Sequence, residues 1–163
     1  MKKSGLDPAD IRILTAIQTF GQLSKTKLAE VVNLSPTACL ARLDRLKSEG
    51  FINSYHADLA LNRICNFTQV IVTVSLNHHR KSNFEKFERY VQELDEVTEC
   101  IATGGGMDYV MKVFVPNLEA FQDLMNTFLE SDLEIERYMT YFATRRVKNG
   151  RPNIAKLVAK TTP

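Results

Sequence analysis

Ser24–Gly50 reads SKTKLAEVVNLSPTACLARLDRLKSEG, and the order of residue types in this stretch decides the first half of the fold. Ser24 is placed to cap a short helix whose Leu28, Val31 and Val32 share one face, and Asn33 follows where the backbone must turn left-handed. Ser35 and Pro36 start the next helix at once, since serine satisfies orphan N–H groups and proline is preset for the first helical position. Leu40, Leu43 and Leu46 form its expected buried stripe, and Gly50 stops it. Upstream, Asp7-Pro8-Ala9-Asp10 predicts another capped helix with Ile11, Leu14 and Ile17 inside, ending near Gly21. Downstream, Phe51 to Ala57 predicts a β-hairpin. Three short helices and a hairpin make a winged helix-turn-helix.

After Asn66 the period changes from helical to alternating. Val70, Val72, Val74 and Leu76 alternate with Ile71, Thr73 and Ser75, which predicts a strand. Ser82-Asn83-Phe84-Glu85 reads as a capping box opening a helix with Phe84, Phe87, Val91 and Leu94 inside. Val97 to Thr103 and Tyr109 to Val115 read as strands joined by a hairpin at Gly104-Gly105-Gly106-Met107-Asp108. Asn117 caps a helix with Leu118, Phe121, Leu124, Met125, Phe128 and Leu129 inside, and Ile135 to Val147 reads as a last strand. The fold class is therefore α+β, with a winged helix-turn-helix followed by a ferredoxin-like βαββαβ domain. Such a sheet carries helices on one face and needs cover on the other, for which a second subunit is the expected source.

Composition limits the alternatives. The chain has 163 residues, 44% hydrophobic and 25% charged, which suits a globular protein and excludes collagen-like or low-complexity classes. The formal charge of +2 conceals three regions. Residues 1–64 carry nine basic and six acidic residues, 84–136 carry three basic and thirteen acidic, and 137–163 carry seven basic and no acidic ones. A polyanion is thus expected to meet one part of the chain and not the whole. Cys39, Cys65 and Cys100 are odd in number and widely spaced, so neither a disulfide framework nor a zinc site is supported, and a reducing cytoplasm is the expected setting. No apolar stretch reaches signal-peptide or membrane-spanning length.

Two groups of residues carry the chemistry. On the helix after Ser35, the side away from the leucines holds Thr37, Ala38, Ala41, Arg42 and Arg45. Small residues allow close approach to a groove floor, arginines reach phosphates or guanine, and the Ser35-Pro36-Thr37 end presents N–H groups to an anion. The plainer reading is a solvated face with two ordinary arginines; the neighbouring helices and hairpin favour DNA. The second group is the triple glycine, whose successive N–H groups can close on a small carboxylate while Asp108 receives an ammonium. Against this stands a plain hairpin turn in which Asp108 satisfies the turn's own N–H groups. The adjacent His78 and His79 should point to opposite faces and cannot readily share a metal; His56 reads as surface. No paired acid and base, P-loop or G-x-S-x-G motif supplies catalysis.

Leu6-Asp7, Asp10, Ile13-Leu14, Leu28-Ala29-Glu30, the run Leu34 to Leu43, Leu46, Glu49-Gly50 and Ile52 resemble the Lrp/AsnC, or feast/famine, family of transcription regulators. The resemblance continues through Gly105-x-x-Asp108-Tyr109 and Thr140-Tyr141, so that it spans about Leu6 to Lys148. It implies a DNA-binding, non-enzymatic regulator that needs no cofactor and responds to an amino acid or related metabolite. It further implies dimers that assemble into tetramers or octamers and bind pseudo-palindromic double-stranded DNA, with no membrane partner. The expected domains are 1–58 for DNA binding, 59–66 as linker, 67–148 for effector binding and oligomerisation, and 149–163 as a basic tail. Expected DNA contacts are Ser35, Pro36, Thr37, Cys39, Arg42, Arg45, Asn53 and Ser54. Expected effector contacts are Thr103, Gly104, Gly105, Gly106, Met107, Asp108 and Tyr141. The alternative is an amino-acid-binding module or metabolic enzyme whose N-terminal helices serve protein interaction. The basic tail with Arg145, Arg146, Lys148 and Arg151 is open between bridging to a neighbouring subunit, touching DNA and meeting an effector.

Overall fold

The computed structural model describes residues 5–161. The chain forms two compact units, one of residues 1–59 with 148–163 and one of residues 60–147.

In the first unit, α1 (Pro8–Phe20) begins with a capping box in which Asp7 accepts the N–H groups of Ala9 and Asp10, and Asp10 accepts that of Asp7. α2 (Lys25–Val32) is capped by Ser24 and ends at Asn33 in the left-handed conformation (φ 55°), the turn its side chain tolerates. α3 (Pro36–Ser48) is capped by Ser35. Ile13, Ala16, Leu28, Ala29, Val32, Cys39 and Leu46 form the core. The inner stripe of α3 is therefore Cys39, Leu43 and Leu46; Leu40 sits at its margin, and Val31 of α2 faces outward. A turn of 100° per residue accounts for this, placing Cys39 and Leu46 within about 20° of each other and Leu40 about 120° from Leu46. The expected hairpin at Phe51–Ala57 is absent: the segment has no strand pairing, and its Phe51 and Ile52 pack on the helical core instead.

Part of the stretch expected as a basic tail is helical. α6 (Ile154–Thr161) is capped by Asn153 and packs against α1. Ile154 and Val158, one helical turn apart, form the less exposed face of α6. The unit is thus built from both ends of the chain.

The second unit starts with a 3-10 turn at Leu61–Arg63, inside the expected linker. Its sheet runs β2-β3-β1-β4 and is antiparallel throughout, from β1 (Thr68–Leu76), β2 (Val97–Ala102), β3 (Tyr109–Val115) and β4 (Ile135–Phe142). α4 (Lys81–Gln92) and α5 (Leu118–Glu130) cover one face, giving the βαββαβ order. Val70, Val72, Val74, Tyr109, Met111 and Val113 point to these helices and bury Phe87, Phe121 and Phe128 between them. Leu118 and Leu129, expected inside α5, are exposed, because Phe121, Met125 and Phe128 already fill its inner face. α4 starts one residue before the expected box, with Arg80 at the cap and no side-chain cap bond. Asn83 is spent on the His78 carbonyl and Glu134. β4 ends at Phe142, short of the expected Val147.

On the opposite face of the sheet, register places Ile71, Thr73, Val110, Ile101, Met139 and Tyr141 side by side. Ile101 and Tyr141 are each 51% exposed. No element of the described chain covers this apolar face, the one for which a second copy is expected.

Candidate functional site

Two sites follow from these two units, and each differs from the sequence reading at its charged residues. On α3 the outward surface is made by Pro36, Thr37, Ala38, Ala41, Asp44, Lys47 and Ser48. Ser35 accepts the Ala38 N–H at 3.3 Å, so its hydroxyl oxygen serves the helix start. Asn53 and Ser54 are exposed in the segment after α3, where the Ser54 hydroxyl lies 2.6 Å from His56 Nε2.

Cys39 is 1% exposed in the core and is withdrawn from the expected DNA contacts: burial of its small apolar side chain against α1 and α2 turns it away from solvent. Arg42 and Arg45 are also not free groups. The Arg42 guanidinium reaches Asp7 at 2.6 Å and Asp10 at 2.9 Å, and Arg45 reaches Asp10 at 2.6 Å and Glu49 at 3.2 Å. Asp10 is completely buried, and its two oxygens together serve Arg42, Arg45 and the Asp7 N–H. A buried carboxylate requires such partners, and here they come from α3 and from the start of its own helix. The two arginines therefore fasten the outward helix to the N-terminus of α1, and their charge is largely neutralised before any phosphate arrives.

Burial pushes the Asp10 carboxyl up, but the Asp7 N–H, Arg45 and Arg42 together hold it below its ordinary value of 3.8. The Asp10 N–H and then Arg42 lower Asp7 likewise. A carboxyl whose folded pKa is depressed stabilises the fold above its unfolded value, and that contribution is lost as pH falls through the folded one. The thermal midpoint is therefore expected to be level above about pH 5 and to fall on acidification below about 3.8. In Asp10→Asn this acid limb should flatten, as measured by differential scanning calorimetry over pH 2.5 to 7 in roughly half-unit steps. An acid limb identical in the two proteins contradicts the role given to Asp10.

The second site is the hairpin between β2 and β3. Thr103 donates its hydroxyl to the Met107 carbonyl at 2.6 Å and its N–H to that of Asp108 at 2.7 Å, which closes the loop. Gly105 has φ +128°, a conformation that L side chains rarely adopt. Within the loop, the N–H groups of Gly104, Gly105, Gly106 and Met107 find no acceptor among the described residues. The Oδ2 oxygen of Asp108 is already engaged within the chain. It accepts the Leu76 N–H at 2.8 Å and lies 3.2 Å from His79 Nε2 and 3.4 Å from the Ser75 hydroxyl, pinning the hairpin to the end of β1.

Arg137, which the sequence reading did not select, donates to the Gly106 carbonyl at 3.2 Å and touches the Met107 sulfur at 3.6 Å. It forms no ion pair among the described residues. Glu136 lies beside it, 3.4 Å from the Ser75 hydroxyl, where the β1–β4 register shifts. Neither has a local signal in the sequence; strand register alone brings them to the loop. Tyr141 is separated from it by four residues of β4, about 13 Å at strand rise.

Comparison with known proteins bears on both units. A family model described as the Lrp/AsnC ligand binding domain matches residues 69–153, and one described as winged helix-turn-helix DNA-binding matches residues 6–53. The transcriptional regulatory protein DoeX of Halomonas elongata is 39% identical over 150 residues, covering 92% of this chain and 95% of its own. The leucine-responsive regulatory protein of Escherichia coli K12 is 35% identical over 156 residues, covering 96% and 93%. Among solved structures, a transcriptional regulator of Neisseria meningitidis in complex with L-methionine superposes with TM-score 0.81 at 31% identity, covering 88% of this chain and 93% of that one.

Proposed function

The chain belongs to the Lrp/AsnC family of transcription regulators, and we propose that its α3 surface reads DNA while its Gly104–Met107 loop holds an amino acid that adjusts this reading. Family membership makes it a DNA-binding regulator with an amino-acid-binding domain and not an enzyme, so the reading as a metabolic enzyme with an accessory helical module is not favoured. Members assemble as oligomers, and the uncovered sheet face with Ile101, Met139 and Tyr141 suits pairing of two copies.

The DNA surface comprises Ser35, Pro36 and Thr37 at the start of α3, Ala38 and Ala41 beyond them, and Asn53 and Ser54 in the wing. Arg42 and Arg45 act behind it as positioning residues. Two copies would present two α3 helices to pseudo-palindromic half-sites whole helical turns apart, about 10 bp each. Residues 1–58 serve as the reading module, 59–66 as linker and 67–148 as the effector and pairing domain. Among the described residues no helix is long and apolar enough to cross a membrane, and a regulator that must reach the chromosome operates in the cytoplasm.

One observation carries the effector reading: four consecutive loop N–H groups without an acceptor among the described residues, next to an arginine without a carboxylate among them. Those groups suit the carboxylate of an amino acid, and Glu136 suits its ammonium. Asp108 and Thr103 hold the loop in shape, and Tyr141 lies too far along β4 to share the same small ligand within one chain. A ligand that prefers one assembly of subunits over another shifts that equilibrium and with it the spacing of DNA-binding heads.

A thermal-shift screen of the common amino acids is expected to find at least one that raises the melting midpoint, because a ligand bound only by the folded state stabilises it. Gly105→Val, which forces a side chain onto a strained backbone beside the open N–H groups, should weaken that response at least about tenfold. Its binding to a duplex from the region upstream of its own gene should stay unchanged in fluorescence anisotropy. A full ligand response in Gly105→Val removes the loop from the effector site.

A further inference from the structure

We propose that the C-terminal segment from Lys148 to Lys160 is a second DNA-contacting element of the N-terminal unit, one that grips the phosphate backbone beside the wing. Arg42 and Arg45 are engaged with Asp7, Asp10 and Glu49, and Lys27 is paired with Glu30. Residues 1–59 contain eight basic and six acidic residues, a net +2. Neutralising phosphates needs unpaired cations, and among the described residues of this stretch those outside any ion pair are Arg12, Lys25 and Lys47.

The C-terminal segment supplies more of them. Residues 148–163 add four Lys/Arg and no Asp/Glu, which brings the unit to +6. Lys148, Arg151, Lys156 and Lys160 are all exposed, and none forms an ion pair among the described residues. They are also held in place. Arg151 donates to the Gln18 carbonyl at 3.1 Å, Asn149 donates to Asp58 at 3.2 Å, and α6 lies on α1. Arg151 and Ile154 share a hollow of about 340 Å³ with Asn53, Ser54, Tyr55 and His56, so the segment runs alongside the unpaired residues that stand in the wing's place after α3. In a winged helix docked on DNA the wing flanks the groove occupied by the recognition helix, and cations beside it lie within reach of the flanking backbone. Asp58, an acid beside this stretch, is held by Asn149. α6 lies beyond both matched regions, residues 6–53 and 69–153.

The inference rests on DNA binding by the N-terminal unit, and the test separates the two. Full-length protein is titrated into a fluorescein-labelled duplex of mixed sequence between about 50 and about 200 mM salt, where binding reports phosphate contacts. The triple variant Lys148→Gln, Lys156→Gln, Lys160→Gln leaves the Arg151 and Asn149 docking bonds intact. Its log–log salt slope should be shallower by about 0.9 for each contact removed, with affinity near physiological salt lower by roughly tenfold or more. The charge-preserving Lys→Arg triple should keep the original slope. Superimposable slopes for the glutamine triple and the parent overturn the proposal. If light scattering then shows a smaller assembly for that triple, the segment bridges subunits instead. A parent protein whose binding shows no salt dependence removes the DNA reading itself.

Discussion

Asp10→Ala is expected to lower the stability of the chain by about 3 kcal/mol, the usual cost of deleting the buried partner of charged side chains. With the size of the N-terminal unit this corresponds to roughly 15 °C in its melting midpoint. The substitution removes the acceptor of Arg42, of Arg45 and of the Asp7 N–H at once. Two guanidiniums then lie against the start of α1 with only Asp7 and Glu49 to receive them. Because these bonds set α3 on α1, DNA affinity should fall along with stability even in samples that remain folded at the assay temperature. Asp44→Ala, on the same helix but exposed and outside the network, should leave the midpoint within about 2 °C, as surface changes generally do. A loss in Asp10→Ala no larger than in Asp44→Ala sinks the account of the network. Calorimetry and anisotropy on the two variants decide it.

Ala41→Glu is expected to abolish DNA binding while leaving the fold intact. Ala41 is exposed on the outward surface of α3, one turn beyond Thr37. A methyl group there allows the helix backbone to approach a groove floor, whereas glutamate adds both length and a negative charge facing phosphates. An affinity loss of about a hundredfold or more corresponds to roughly 3 kcal/mol. Glutamate is a good helix former and the site is open, so the melting midpoint should change little. Ala41→Ser, small and neutral, should retain most of the affinity. Undiminished binding by Ala41→Glu moves the DNA surface off this face of α3.

These two substitutions also mark where the sequence was legible. The outward face of α3 follows from helical period, since Thr37, Ala38 and Ala41 must lie opposite a core stripe whatever else the chain does. The caps at Asp7, Ser24, Ser35 and Asn117 were legible for the same reason, because a helix end must satisfy its N–H groups within a few residues. The engagement of Arg42 and Arg45 was not. Helical spacing shows that they lie off the leucine stripe and that Glu49 is within reach of Arg45, but their Asp7 and Asp10 partners are more than thirty residues away, and only packing of α1 on α3 brings them together. Asp108 shows the same limit in the second unit: its position beside three glycines does not reveal that its Oδ2 accepts the Leu76 N–H of the neighbouring strand.

By itself, then, the sequence determined much of what local rules govern: two units of different period, the order βαββαβ, the starts of α1, α2, α3 and α5, the glycine hairpin and the family to which these belong. The tertiary structure decided which charges are spent and which remain. It committed Asp10 to two arginines, brought Arg137 and Glu136 to the loop through strand register, and folded the C-terminal segment as a helix onto α1. Each of these joins residues distant along the chain. Helix and strand periods repeat every few residues and leave a trace in any short window, but the partner of a charge is set by how whole elements pack. That information is carried by no single stretch.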